Sequence, residues 1–506
     1  MTSVPLPSHP VLTAEEVKAL ESALLGGDEK REWRAMQAAG AGVADAVGRD
    51  FAEAGELPAA ARLLVLAGKG NNAGDALIAA RALLAARPAA TADVLFAFGP
   101  RKLGPLAARA WRGLAESARG RVRSVAPGEV AAAYDIAIDG IFGFQYRPPL
   151  PLEAVTAIAA GAAAAVRFRA AVDLPSGLGE AGAFRADFTY ATGSVKTDLL
   201  GCRHAGRPRY LDLGFFAGEP TGRPRQGDRI LLASILTPLA GLRPADADKR
   251  AQGHLVIVGG SGGFPGAILM TTLAALQSGA GLVTACVPRR LIPAYAARAP
   301  EAMWVGLPET ASGSLAPSGR AQVLKAAERA TAVVMGPGMG KDRAAHALLR
   351  AVIPRLQVPF VMDADSLQPD LVRLGKAPRI LTPHAGELKR IAEGSGLRPL
   401  ARELPAVVVA KGPVSRVTDG GAVYHSFFGG PVLGRGGSGD LLAGLTGGLL
   451  AQTPVDPLGA ACRAVVWHGL AADHLARARG QTAVAIPQLL EFLAAALRTP
   501  APCPPS

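Results

Sequence analysis

Asp440 is the last residue of the stretch Gly429-Gly430-Pro431-Val432-Leu433-Gly434-Arg435-Gly436-Gly437-Ser438-Gly439-Asp440, and an apolar run, Leu441-Leu442-Ala443-Gly444-Leu445, follows it. Glycine lets a backbone turn through positive φ and lets a ligand approach closely. A helix that starts after such a turn aims unpaired N–H groups, and its positive end, into the loop. The result is an anion site suited above all to phosphate. A carboxylate at that mouth repels phosphate unless it has a task, such as taking a proton from a hydroxyl. The plain alternative is a glycine loop with Ser438 or Asp440 as N-cap.

Other polar residues collect at the ends of apolar runs. Leu63-Leu64-Val65-Leu66-Ala67 reads as a buried parallel strand and runs into Gly68-Lys69-Gly70-Asn71-Asn72-Ala73-Gly74-Asp75, with a helix expected from Ala76. Amide oxygens and a carboxylate in such a turn suit a hard cation or a ribose–phosphate edge; a plain Asn-rich turn is the alternative. Tyr134-Asp135-Ile136-Ala137-Ile138-Asp139 ends in a carboxylate before Gly140-Ile141-Phe142-Gly143, and Asp173 tips the short run Ala170-Ala171-Val172 before Leu174-Pro175-Ser176-Gly177. Strand tips line the ligand crevice of open α/β sheets, so Asn72, Asp139 and Asp173 are expected in one pocket. The second half repeats the pattern. His254 to Val258 leads into Gly259-Gly260-Ser261-Gly262-Gly263, Val333-Val334-Met335 into Gly336-Pro337-Gly338-Met339-Gly340, and Phe360-Val361-Met362 into Asp363-Ala364-Asp365. Ile380-Leu381 leads into Thr382-Pro383-His384-Ala385-Gly386-Glu387, and the run from Ala406 to Ala410 into Lys411-Gly412. No Lys-Ser/Thr pair follows the first of these loops, so it is not a Walker loop.

The elements that must carry these tips are alternating strands and helices, hence largely parallel sheets covered on both faces. Before the first strand, Thr13-Ala14-Glu15-Glu16 is a capping box, and a second helix is expected through Trp33, Met36 and Val43. With 506 residues the chain is too long for one core, so two or more domains are expected. Gly218 to about Lys249 reads as a linker with a short helix, and the Pro-rich tail from Thr499 as disordered. The formal charge is +13, but only 11 of the 54 basic residues are lysines and the arginines are scattered without aromatic interleaving. That argues against a nucleic-acid groove. Phe264 to Pro288 carries no charge, but Ser278-Gly279-Ala280-Gly281 divides it, so a buried helix and a buried strand are expected there instead of a membrane span. Cys202, Cys286, Cys462 and Cys503 fit no metal spacing, and with no signal-peptide pattern they are expected to be reduced thiols in a cytoplasm.

The motifs GNNAGD, Asp139-Gly140-Ile141-Phe142-Gly143, VDLPSG (Val172 to Gly177), ADFTY (Ala186 to Tyr190) and the trailing Lys196 resemble the YjeF N-terminal family, the NAD(P)H-hydrate epimerases, over residues 12–217. The resemblance implies a Rossmann-like doubly wound domain over 1–222. It implies a potassium ion at Asn72, Asp139 and Ser176, and hydrated nicotinamide at Asn71, Asn72, Ala73, Gly74, Asp75, Gly143, Phe144, Gln145, Tyr146, Arg147, Pro148, Pro149 and Asp173, with Asp173 the acid/base. Here Ala73-Gly74 replaces the family's glycine pair, Ala76 its next glycine, and Gln37 a usual Glu; the segment from Gly177 to Ala186 is short.

TPHAGE, GPGMG, DAD and GGSGD resemble, in order, the YjeF C-terminal family, the ADP- or ATP-dependent NAD(P)H-hydrate dehydratases, over residues 245–497. That implies a ribokinase-like α/β domain over 223–506. Ala267, Gly338, His384 and Asp440 would contact the hydrate, with Asp440 catalytic. Lys411, Gly412, Pro413, Val414, Ser415 and Gly439 would contact the nucleotide, and Glu387, three after His384, would help place magnesium. Gly434-Arg435 stands where the family usually has Ala-Thr, and Asp248-Lys249 where it has His-Lys. The implied activity is repair of hydrated NADH and NADPH. Epimerisation of R and S forms is followed by ADP-dependent dehydration of the S form to NAD(P)H, giving AMP and phosphate. The partners are small molecules (the hydrates NADHX and NADPHX, and ADP), without nucleic acid or membrane, in a homo-oligomer. The rival reading is a ribokinase-like kinase of a small alcohol with a binding-only first domain; His384, where such kinases usually keep Asn, argues against it.

Overall fold

The computed structural model describes residues 6–218, 223 and 226–498. They fall into two compact units, one built mainly from Pro10–Glu219 and the other mainly from Pro220–Leu475. The expected boundary falls at Gly222, which lies outside the described residues, as does the tail from Thr499.

Among the described residues the main sheet of the first unit has seven strands: β1 (Arg62–Ala67), β2 (Thr91–Phe96), β3 (Val122–Val125), β4 (Ala133–Gly140), β5 (Ala165–Val172), β6 (Phe188–Thr192) and β7 (Arg207–Leu211). Their order across the sheet is β3-β2-β1-β4-β5-β6-β7, with every pairing parallel. The run in β1 is apolar throughout because both faces are covered. Leu63, Val65 and Ala67 join one core and Leu64 and Leu66 the other. Burying a leucine side chain contributes about 1.5–3 kcal/mol. Helices α1 (Ala14–Leu25) and α2 (Glu29–Phe51) precede the sheet. The capping box of α1 forms as expected: Thr13 N–H donates to Glu16 Oε2 at 2.7 Å, and Glu16 N–H to Thr13 Oγ1 at 3.3 Å. Helix α3 begins at Asn71, not Ala76. The Asn pair and Asp75 therefore sit in its opening turns, where N–H groups lack partners in the helix anyway.

In the second unit the strands are β8 (Asp228–Leu231), β9 (His254–Val258), β10 (Leu282–Pro288), β11 (Met303–Leu307), β12 (Ala332–Met335), β13 (Phe360–Met362), β14 (Arg379–Leu381), β15 (Ala406–Ala410), β16 (Ser415–Thr418) and β17 (Val423–Ser426). Their order is β11-β10-β9-β12-β13-β14-β15-β16-β17-β8. Only the two pairings of β16 are antiparallel. Between 218 and 249 the short helix expected is there, Thr237–Ala240, but strand β8 corrects the reading of the segment as a linker: Asp228, Arg229 and Ile230 pair in parallel with Val423, Tyr424 and His425. A short strand among Pro, Arg and Gly has too few apolar residues to show a period. The uncharged segment from 264 to 288 is the buried helix and strand expected, Pro265–Gln277 followed by β10. No helix among the described residues is long and apolar enough to cross a membrane.

Both sheets reverse direction once, between β1 and β4 in the first and between β9 and β12 in the second. Loops leaving the two strands at such a point diverge to opposite faces and open a crevice at their carboxyl ends. The chemistry-bearing loops are therefore those after β1, β4 and β5, and those after β9, β12, β13, β14 and β15.

Candidate active sites

At the first crevice, β1 and β4 are in register, Leu66 against Asp139 and Ala67 against Gly140. Gly68 is obligatory there, because a Cβ would lie 1.9 Å from the Ile141 carbonyl. Asp139 is fully buried. Its carboxylate accepts from Ser176 N–H at 2.8 Å, Ser176 Oγ–H at 2.7 Å and Ile141 N–H at 3.2 Å. Asn72 donates its side-chain N–H to the Phe142 carbonyl at 2.8 Å. Burial pushes the Asp139 carboxyl up to about 6 against the pull of those hydrogen bonds. No cation of the protein pairs with it among the described residues. A buried carboxylate beside an Asn amide and backbone oxygens fits a monovalent cation.

Asp173 follows β5 with φ +64, a left-handed conformation that is costly for a non-glycine residue. It is buried, accepts from Phe144 N–H at 3.1 Å, and forms an ion pair with the fully buried Lys196. Lys196 also donates to the carbonyls of Ser194, at 3.0 Å, and Thr192, at 3.2 Å. Its place is fixed by the short parallel pairing of Val195–Lys196 with Val11 and Leu12. Asp173 and Lys196 line a cavity of about 590 Å³ together with Asn71, Asn72 and Asp75, the loop from Gly143 to Arg147, and Glu21 of α1. Pro148 lines an adjoining cavity on the other side of that loop. Ser176 and Asp139 lie behind the wall. Ala73 and Gly74 are buried and do not line the cavity; Gly74 packs so tightly on Met36 that a Cβ would sit 2.4 Å from its sulfur. Ala76 faces Gly140, whose missing Cβ would fall 2.5 Å from the Ala76 methyl. The alanines that replace glycines thus sit in the core behind the site. Glu21 carried no signal in the sequence, because it belongs to a helix that precedes the sheet and not to a strand tip.

At the second crevice the glycine loop runs into helix α4 (Ser438–Gln452). Its N-cap is Gly437, at φ +97, with no side-chain cap. Ser438 turns away and donates to the Leu433 carbonyl at 2.6 Å. Asp440, in the first turn, accepts no hydrogen bond among the described residues, so the capping role is not the one it fills. Burial pushes its carboxyl up to about 7, with the nearby Asp363 adding to the rise and Lys411 opposing it. Asp363, buried at the end of β13, accepts from Lys411 Nζ at 2.8 Å and from Thr382 Oγ1 at 2.6 Å. Burial disfavours the Lys411 ammonium, but Asp363, Glu387 and Asp440 outweigh it and raise the pKa. A Cβ on Gly439 would lie 3.3 Å from Lys411 Nζ, so the ammonium stands against the loop itself.

His384 is the N-cap of the helix Ala385–Ala392, with Nδ1 accepting from Gly386 N–H at 3.0 Å and Glu387 N–H at 3.3 Å. Glu387 returns the bond, accepting from His384 N–H at 2.8 Å, and its other oxygen lies 3.4 Å from His384 Nε2. The half-exposed imidazole edge stays open to a ligand. A lone bridge sets His384 beside Lys411, and Lys411 to Ser415 forms the turn into β16. Gly338, at φ +66, abuts Ala267 and Phe264; a Cβ there would lie 2.9 Å from the Ala267 methyl and 2.6 Å from the Phe264 carbonyl. Asp365, which accepts from Gly340 N–H at 2.8 Å, ties this loop to the end of β13. Asp363 was visible in the sequence only as a strand tip. Its hold on Lys411, 48 residues on, was not. No group of three or more His, Cys, Asp or Glu side chains among the described residues is arranged to hold a metal ion.

Residues 33–197 match the family model described as YjeF-related protein N-terminus, and residues 255–494 match the one described as NAD(P)H-hydrate dehydratase. Two similar proteins are both named bifunctional NAD(P)H-hydrate repair enzyme. The one from Gloeobacter violaceus is 37% identical over 92% of this chain and 93% of its own length. The one from Moorella thermoacetica is 32% identical over 92% of each. Among solved structures, a ribokinase-like superfamily protein from Enterococcus faecalis V583 aligns with 28% identity and a TM-score of 0.47, covering 53% of this chain and 94% of that one.

Proposed function

The chain belongs to the bifunctional NAD(P)H-hydrate repair enzymes, and from that membership we propose how its two sites divide the work. The first unit interconverts the R and S hydrates of NADH and NADPH in the cavity beside Asp173. The second converts the S hydrate to NAD(P)H with ADP, yielding AMP and phosphate. The observation that carries the reading is Asp440: an acid at the mouth of an anion-binding helix, with no hydrogen bond, beside the Lys411 ammonium.

Asp440 takes the proton of the hydrate's hydroxyl as its oxygen attacks the terminal phosphorus of ADP and AMP leaves. The N–H groups after Gly437, with Lys411, offset the charge on the phosphoryl in flight. The C–O bond then breaks, phosphate departs with its electron pair, and loss of a proton from the neighbouring carbon restores the dihydronicotinamide. His384, Gly338 and Ala267 hold the hydrate, and the turn from Lys411 to Ser415 with Gly439 holds the nucleotide. Magnesium supplies charge neutralisation on the phosphates. With no carboxylate cage of its own it fits as an ion carried by the nucleotide, steadied by Glu387. Asp139, Asn72 and the Ser176 backbone would hold a potassium ion, which would balance the buried carboxylate and stiffen the loop after β4. The free thiols Cys202, Cys286 and Cys462 accord with a reducing cytoplasm. Assembly into a homo-oligomer belongs to the same reading and is checked by light scattering. A small-alcohol kinase with a binding-only first domain is not favoured, since both curated relatives named above match across both units.

The test supplies R hydrate alone, with ADP, magnesium and potassium. NADH formation is expected. NADH from S hydrate but none from R would remove the epimerase from the reading, and phosphorylated product without NADH would restore the kinase.

A further inference from the structure

The buried carboxylates of the first unit are partnered. Asp93 meets Arg123 and Tyr134, Asp139 meets Ser176, and Asp173 meets Lys196. Glu21 and Asp75 differ: both are half-buried in the cavity wall, and neither accepts a hydrogen bond among the described residues. A carboxyl group withdrawn from bulk water without a partner costs free energy that a ligand can recover. We propose that Glu21 is a second catalytic residue of the epimerase, a proton donor on the helical wall of the cavity that works with Asp173 at the strand tips. The assignment rests on the epimerase reading above.

The chemistry calls for two groups. In the hydrate, the carbon bearing the hydroxyl is bonded to the ring nitrogen. Glu21, as the acid, gives its proton to the hydroxyl and the C–O bond breaks. Water leaves while the nitrogen lone pair forms a C=N bond. Water then adds to the other face, forming a new C–O bond, as the C=N pair returns to nitrogen. The proton released goes to Asp173, and it returns to Glu21 by exchange with solvent. One group cannot serve both faces of a ring held in place. The surroundings divide the roles. Asp173 is ion-paired with Lys196, while Glu21 has no such partner and burial pushes it up to about 7, with Lys196 opposing and Asp173 and Glu32 reinforcing the rise. Asp75 is raised well above the carboxylate range, mainly by burial and then by Asp173 and Glu21. The other charged groups facing the cavity are Lys18 on the same helix, and Lys69 and Arg147 on the loops. Two carboxyls whose environments set them apart are the usual basis of an acid–base assignment.

The full chain is assayed for exchange of separated R and S hydrates across pH 5–9, without ADP. Glu21→Gln should slow exchange by roughly 10²–10⁴-fold and remove the fall in rate above about pH 7. Glu21→Asp should restore part of the rate, and an unchanged thermal melt of the same preparation reports folded protein. Exchange by Glu21→Gln within a few-fold of wild type, or loss of the descending limb in Asp75→Asn and not in Glu21→Gln, overturns the role of Glu21. No exchange by the wild-type protein overturns the epimerase reading, and this role with it.

Discussion

Replacing Asp440 by Asn should remove the dehydratase activity and make the protein more stable, two effects that a capping residue could not combine. The structure sets the size of the second. Asp440 is buried near Asp363, and its carboxyl is raised from 3.8 to about 7. A folded-state pKa above the unfolded value means that the unfolded chain ionises first as pH rises. Stability is unaffected below about pH 4, falls between there and pH 7, and is constant above. At about 1.4 kcal/mol per pH unit the full gap amounts to roughly 4 kcal/mol. Solvent reaching a partly exposed side chain reduces this to on the order of 2 kcal/mol. Asparagine carries no charge and escapes that cost. The gain is already net of the attraction to Lys411, and no cap is lost, because Gly437 is the cap and Asp440 accepts no hydrogen bond among the described residues. Thermal melts without nucleotide or metal should show the variant several degrees above wild type at pH 8, the difference shrinking by pH 5. NADH formation from S hydrate should fall by two to four orders of magnitude, as for loss of a general base. A variant less stable at pH 8, or one that forms NADH at the wild-type rate, would refute the account of Asp440 as a strained base.

Asp173→Asn should lower the epimer exchange rate by roughly 10²–10⁴-fold and leave S-hydrate dehydration unchanged; a change under threefold in exchange would exclude Asp173 from the chemistry. Potassium should raise the melting temperature of wild type and not of Asp139→Asn, compared at equal ionic strength with choline. An equal response of the two proteins would reject the ion site. Gly338→Ala forces a methyl to within 2.6 Å of the Phe264 carbonyl at a positive φ. It should cost about 1–3 kcal/mol and raise the KM for S hydrate, and an unchanged KM would detach this loop from the substrate.

What the sequence determined by itself is whatever depends on residues close together in the chain. Both α/β layouts followed from apolar runs closed by glycine turns. The capping box at Thr13, the paired helix and strand between 264 and 288, the strand-tip acids at 139 and 173 and the helix-mouth acid at 440 were legible for the same reason, since strand tips and helix mouths are where such sheets accept ligands. The motifs themselves singled out the two families. Tertiary structure decided what depends on register and long-range approach. Strand β8 exists because β17 offers it an edge, with no period of its own to announce it. The Asn pair belongs to a helix because α3 packs back on the sheet as early as Asn71. The Lys411 ammonium meets Asp363, and Lys196 meets Asp173, across dozens of residues. Whether a carboxyl is a cap, a salt-bridge partner or an unpartnered acid is a matter of which atoms surround it. Glu21 looks like any other Glu in the chain, and the place of Asp440 in its motif does not by itself tell a cap from a base. Only folding sets them where water is scarce and no donor reaches them, the condition that brings an acid's pKa near neutrality.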